Sequence, residues 1–282
     1  MTAPTGAGEP LVFPSPLRVE RSGEGKPPVV LVHGFGASNH SWRHWIPILS
    51  RKHAVHAVEL MGFGGAAAPP GGDYSPGAQA GHLVELLRRL SGPPPVLVGH
   101  SLGGCIILLA SLRLADEGGA VPLAGVVVMS APVFPQKLPP FLALARTPGI
   151  GDLLLAAPPP RWALRAGIRG IVKRKETVTW EQVDGYRAPL LQWARRRAIL
   201  RAARQIHPEE ANEIAIRYPE ITLPTLVLWG AADPVVPPAF AARLEEAMPQ
   251  ARRVMLPRVG HLPAEEAPEA SLKAVLAFLD SL

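Results

Sequence analysis

The hexapeptide Gly99-His100-Ser101-Leu102-Gly103-Gly104 places a serine hydroxyl among glycines, directly after the apolar run Pro95–Val98 and before Cys105–Ala110. A buried strand turning sharply into a helix at such a serine would expose the hydroxyl and set helix-start amides beside it. Gly99 and Gly103 remove side chains that would collide in the turn, and Gly104 lets the helix approach neighbouring strands. A serine hydroxyl needs a base at neutral pH, and the candidate is His261 in Arg258-Val259-Gly260-His261-Leu262-Pro263. The candidate acid that would orient the imidazole is Asp233, in Gly230-Ala231-Ala232-Asp233-Pro234, although an Asp before proline is also an ordinary turn former. Asp73 precedes the serine and Asp152 lies in a strand-free interval, which ranks both below Asp233. Attack on a carbonyl builds charge on its oxygen, and two fixed amides would stabilise it. The candidates are the amide of Leu102 and that of Phe35 in His33-Gly34-Phe35-Gly36. The chemistry in view is nucleophilic acyl transfer.

The other histidines fit this role less well. His33 ends a strand and is expected to bond its own loop; His40 and His44 are expected in a surface helix. His53, His56, His82 and His207 lack a glycine-shaped setting, and the His100 side chain is expected to point away from the serine.

The elements that must position these groups are legible as apolar runs. Strands are predicted at Val29–Val32, His53–Leu60, Pro95–Val98, Gly125–Ser130, Thr225–Trp229 and Arg253–Leu256. Helices are predicted at Ala78–Leu90, Leu102–Ala115, Pro238–Ala247 and Pro268–Leu282. This alternation predicts an α/β fold with a mostly parallel sheet sheathed on both faces. From about Ala131 to Tyr218 no buried strand is readable, only helical pieces at Pro140–Arg146, Pro160–Val172, Trp180–Leu191 and Gln192–Gln205. The reading is a core in two parts, residues 1–130 and 219–282, with residues 131–218 a helical cap over the site.

Composition narrows the classes. The 282 residues are 48% hydrophobic and 18% charged, enough for a sizeable core and too apolar for global disorder. One cysteine, Cys105, excludes an internal disulfide framework and a cysteine-based zinc cluster, and is expected to pack against the sheet. The net charge of +6 comes with no zinc-finger spacing or glycine-aromatic RNA signature, so nucleic acid is not an expected partner. No run approaches the length of a membrane span and no signal-like leader is read at the start, which predicts a cytoplasmic protein with no integral membrane segment. A monomer and a homodimer both stay open.

Taken together, His33–Gly36, Gly62-Phe63-Gly64, Gly99–Gly104, Leu228-Trp229-Gly230 with Asp233, and Gly260-His261 resemble the α/β-hydrolase superfamily, from about Val29 to Leu282. The resemblance is to its lidded branch of carboxylesterases, epoxide hydrolases, haloalkane dehalogenases and carbon–carbon hydrolases. It implies the nucleophile–acid–base order Ser101, Asp233, His261 and an eight-stranded core, the missing strands lying around Leu17–Arg21 and Leu11–Phe13. A serine at the elbow disfavours the dehalogenase and epoxide hydrolase activities, which use aspartate. Carbon–carbon hydrolases use serine, yet many carry Asn before it and Trp after the histidine, where this chain has His100 and Leu262. Two further departures are Glu59 where many relatives have aspartate, and Ala66 in place of a serine-like position.

The expected activity is therefore hydrolysis of small to medium uncharged carboxylic esters with neither metal nor organic cofactor. The alternatives are a carbon–carbon hydrolase of a vinylogous diketone and a non-catalytic binding protein. Phe134, Phe141, Trp162 and Trp193 are candidates to line the pocket, and Arg195–Arg197 with Arg201 and Arg204 are expected to form a solvated basic face.

Overall fold

The computed structural model describes residues 9–10, 15–119, 121–154, 156–208 and 210–282. Eight strands, β1 (Glu9–Pro10), β2 (Arg18–Ser22), β3 (Val29–Val32), β4 (Val55–Glu59), β5 (Val96–His100), β6 (Gly125–Met129), β7 (Thr225–Gly230) and β8 (Ala251–Leu256), form one sheet in the order β1-β2-β4-β3-β5-β6-β7-β8. β1 and β2 are antiparallel to their neighbours; the strands from β4 to β8 pair in parallel. All six strands expected from apolar runs are present, and β2 occupies the stretch assigned to a missing one. Leu11–Phe13 lies outside the described residues.

The helices, in chain order, are α1 (Ile46–Leu49), α2 (Pro76–Arg89), α3 (Leu102–Asp116), α4 (Pro140–Arg146), α5 (Ile150–Leu154), α6 (Arg161–Ile171), α7 (Trp180–Leu190), α8 (Trp193–Arg204), α9 (Glu210–Ala215), α10 (Ala239–Ala247), α11 (Pro263–Glu266) and α12 (Pro268–Leu279). Successive strand residues point to opposite faces, so a strand covered on both sides must be apolar throughout. Val30, Val32, Leu97 and Val128 accordingly join one core cluster with residues of α2 and α3. Val29, Leu31, Val98 and Val127 join another, with Trp42, Trp45 and residues of α12. β8 is an edge, and there the pattern relaxes: Arg252 and Arg253 are exposed.

The topology fixes where the loops meet. β4 lies on one side of β3 and β5 on the other, so the chain reverses direction across the sheet between β3 and β5. Loops leaving the carboxyl ends of two such strands diverge and leave a crevice. Val32 pairs with Gly99, which brings the loop after β3 level with Ser101. Between β6 and β7 the described residues contain no strand, only α4–α9 and short 3-10 turns. α5 and α9 are additions to the four helical pieces read from sequence.

Candidate active site

Ser101 stands between β5 and α3 with φ 52° and ψ −119°, a backbone region that costs a non-glycine residue about 1–3 kcal/mol. The glycines around it are required by distance. A Cβ on Gly99 would lie 2.4 Å from the Gly103 carbonyl oxygen, and one on Gly103 would lie 2.2 Å from that of Val32. The strain is therefore held by a turn that only glycine neighbours can pack.

His261 reaches this turn from the loop after β8. Its Nδ1 lies 2.9 Å from Asp233 Oδ2 and 3.2 Å from Oδ1, and its Nε2 lies 3.1 Å from Ser101 Oγ. With the carboxylate on Nδ1, that nitrogen carries the proton and donates; Nε2 is left to accept from the serine hydroxyl. Asp233 also takes the amides of Val235 and Val236 on Oδ1 at 2.8 and 3.0 Å. Its turn-forming role and its role behind the imidazole are thus compatible, since the turn holds the carboxylate rigid.

The loop after β3 closes the other side. A Cβ on Gly34 would lie 3.1 Å from Ser101 Cβ. Leu60 donates its amide to His33 Nε2, so His33 Nδ1–H donates to the Gly34 carbonyl at 2.8 Å. Burial pushes this imidazole down to about 4, which keeps it neutral and its tautomer fixed. Among the described residues, neither the Phe35 nor the Leu102 amide is bonded to a protein acceptor. Glu59 takes the amides of Asn39 and Gly65, and its Oε2 lies 3.5 Å from Arg18, so the longer acid still anchors both loops.

Several groups were not read from sequence. His100 does turn from the serine hydroxyl, but toward the base: its ring centroid lies 5.0 Å from that of His261, and its Nε2–H donates to the His261 carbonyl at 2.7 Å. Burial, then the neighbouring imidazole, push His100 down to about 3, so it acts as a neutral donor. Glu266, buried, accepts from the amides of Gly260 at 2.7 Å and Lys173 at 2.9 Å; His261 N–H donates to the Ile171 carbonyl. The loop carrying the imidazole is thereby tied to the end of α6. Glu265 makes the parallel tie, taking Gln182 Nε2 and the Tyr186 hydroxyl of α7 together with Arg43. Two acids following an apolar loop were the available signal, and acids ordinarily read as solvated. His40 is half-buried rather than on an open surface helix, because its ring meets Tyr186 edge-on at 6.5 Å.

These groups open on a cavity of about 340 Å³ that includes Phe35, Ser101, Leu102 and His261 in its wall. Phe134 and Phe141 line it. Trp162 and Trp193 do not: they are 71% and 53% exposed. α6 turns Ile171 to the cavity and leaves Trp162, nine residues earlier, on the opposite side, while Trp193 faces a separate groove beside Tyr74 and Arg201. Cys105 packs against the core that holds one face of the sheet and also lines the cavity, because a residue four after Ser101 shares its helix face; burial pushes its thiol up to about 12. The described lining contains no Lys or Arg; its carboxylate is Glu213. The expected basic face is present in part. Arg197 is exposed and Arg204 pairs with Asp152, but Arg196 is buried and bonds the carbonyls of Leu190, Leu191 and Ala156.

Residues 29–274 match the model of the alpha/beta hydrolase family, and the chain belongs to that family. It is 27% identical over 271 residues to Lipase 3 of Moraxella sp. (strain TA144), covering 90% of this chain and 78% of the relative. It is 28% identical over 267 residues to 2-hydroxy-6-oxo-6-(2'-aminophenyl)hexa-2,4-dienoic acid hydrolase of Metapseudomonas resinovorans, covering 93% and 87%. The structure of a thermophilic esterase from Thermogutta terrifontis superimposes with a TM-score of 0.77 at 26% identity, covering 94% and 93%.

Proposed function

We propose that the protein is a serine hydrolase of small to medium uncharged carboxylic esters, with residues 131–218 acting as a cap over the site. The observation that carries this reading is the relay of Asp233, His261 and Ser101 at 2.9 and 3.1 Å beside an apolar cavity. In the proposed reaction, His261 Nε2 takes the Ser101 proton as Oγ bonds to the ester carbonyl carbon. The amides of Phe35 and Leu102 receive the oxyanion. As the tetrahedral species collapses, the C–O bond to the alcohol breaks and His261 returns the proton to the leaving oxygen. Water then gives a proton to His261 as its oxygen bonds to the acyl carbon; the bond from that carbon to Ser101 Oγ breaks, His261 returns the proton to Oγ, and the acid is released.

The dienoic acid hydrolase among the relatives makes carbon–carbon cleavage the competing reading. A substrate that carries a carboxylate would need a fixed cation to replace its hydration, and the described lining of this cavity contains no Lys or Arg. That favours the uncharged ester.

The test is a panel of neutral esters, acidic esters and vinylogous diketones, run with Ser101→Ala as blank, alongside labelling by a fluorophosphonate. Turnover of neutral esters should fall by on the order of 10⁴-fold or more in Ser101→Ala, with labelling abolished and the fold retained. Undiminished turnover in that variant would sink the assignment. Labelling without turnover of any panel member would point to a retained binding fold.

A further inference from the structure

Charge is divided unevenly along this chain. Residues 131–218 hold 15 Lys and Arg against 7 Asp and Glu, whereas the other 194 residues hold 14 against 16. Exposed apolar surface follows the same division. Of eleven large hydrophobic side chains exposed among the described residues, nine belong to 131–218.

The two properties meet on the α4–α5 hairpin, which turns at Gly149 with φ 77°. Phe141, Leu144, Ile150 and Leu153 are all exposed on it, Leu153 at 77%. From Leu138 to Pro160 the only charged residues are Arg146 and Asp152. Arg146 bonds the Ile206 carbonyl, and Asp152 pairs with Arg204 of α8 at 2.8 Å, so neither charge interrupts the apolar tip. α4 packs on α8, whose residues 197, 201 and 204 share one face at spacings of four and three. A basic helix face therefore flanks an apolar hairpin. The apolar surface also continues inward: Phe141 and Leu142 of α4 line the cavity that holds Ser101, and the Phe141 ring lies 6.3 Å from that of Phe35.

We propose that this hairpin docks on the surface of a bilayer containing anionic phospholipid. Leu153 and Ile150 enter the acyl boundary, and Arg197 and Arg201 on the adjoining α8 face meet the headgroups. The substrate class is then an ester dissolved in that bilayer, a point that rests on the ester reading above. Continuity with the cavity selects a bilayer over a protein partner. A water-insoluble ester passes along apolar surface from hairpin to Ser101, whereas a protein seated on the hairpin would close that path.

The experiment is co-sedimentation of the whole protein with vesicles of phosphatidylcholine alone or mixed with phosphatidylglycerol. Hydrolysis of a short water-soluble ester is followed in parallel. Binding should favour the mixed vesicles by about tenfold, and Arg197→Glu with Arg201→Glu should remove that preference. Leu153→Asp should weaken binding to the mixed vesicles by about tenfold or more while hydrolysis of the soluble ester is unchanged. Equal partitioning of Leu153→Asp and the parent overturns the proposal. So does a dimer in sedimentation velocity that Leu153→Asp converts to monomer without any vesicle binding, since the hairpin is then a self-association surface. Vesicle binding as expected with no hydrolysis of any ester upholds the docking surface and removes the ester reading.

Discussion

Residues 96–104 and residues 138–160 draw on the same apolar residue types and use them in opposite ways. In the first stretch, β5 is sealed by β3 and β6 at its edges and by helices on both faces, and Val96, Leu97 and Val98 are fully buried. In the second, Leu144, Ile150 and Leu153 stay exposed on a helical hairpin whose inner side meets α8 and the cavity. A parallel strand has neighbours in four directions, so its burial is imposed by the sheet. A helix in a single layer has one covered side, and an apolar residue on the other side is left for solvent or a partner. The sealed region carries Ser101; the half-covered region carries the exposed apolar surface.

Acid should separate the two regions most strongly. The sheet buries imidazoles: burial pushes His33 and His56 down to about 4 and His100 down to about 3. A folded-state value below 6.5 means the unfolded chain binds the proton more readily. This stabilisation is complete above pH 6.5 and is lost as pH falls toward the folded value. For His33, which has no exposed surface, the loss amounts to roughly 3 kcal/mol by pH 4. The helical segment behaves differently, since its Arg204–Asp152 pair is exposed and Arg204 holds the Asp152 carboxyl below its ordinary value. Urea unfolding followed between pH 7 and 4 should show a steadily falling free energy, with a shallower slope in His33→Asn. A flat profile would remove the assumed contrast in how the regions are held.

A smaller effect is expected where the regions are joined. Glu266 accepts one amide from the His261 loop and one from the end of α6, and a glutamine there must present an N–H to one of those two donors. Glu266→Gln should lower kcat by roughly 10- to 100-fold through displacement of the imidazole, with KM altered less than about threefold. Fluorophosphonate labelling should slow in parallel. A merely structural role would instead lower the melting temperature and leave kcat at 25 °C intact.

The uneven legibility of the chain has the same origin as the contrast between regions. Val29–Val32 and the elbow could be read because a strand buried on both faces must be apolar at every position, and because Gly99 and Gly103 are dictated by approaches near 2 Å. Asp233 and His261 followed from their places just past strand ends. Glu265 and Glu266 escaped notice because their partners, Arg43, Gln182, Tyr186 and the Lys173 amide, come together only through packing of distant segments. α5 does not show in the sequence because its five residues, set between Pro148-Gly149 and Pro158–Pro160, are too few to display a helical period. Residue type alone points Trp162 and Trp193 to the pocket, and residue type does not specify a helix face.

Those two tryptophans supply the smallest expected effect and the closest test of where the cavity ends. Trp162 is 71% exposed, and Trp193 lies under the guanidinium groups of Arg196 and Arg197 at 5.4 and 5.9 Å from the ring centroid, outside the cavity. Exposed side chains away from packed or strained features change stability by about 0.5 kcal/mol or less on truncation. Trp162→Ala should therefore leave both the unfolding free energy and the kinetics toward a soluble ester unchanged. Trp193→Ala should likewise leave kcat and KM unchanged, because loss of its contact with Arg197 occurs on a surface groove. An increase in KM in either variant, with kcat preserved, would mean that the ring reaches the substrate and that the cavity wall extends beyond Phe134 and Phe141.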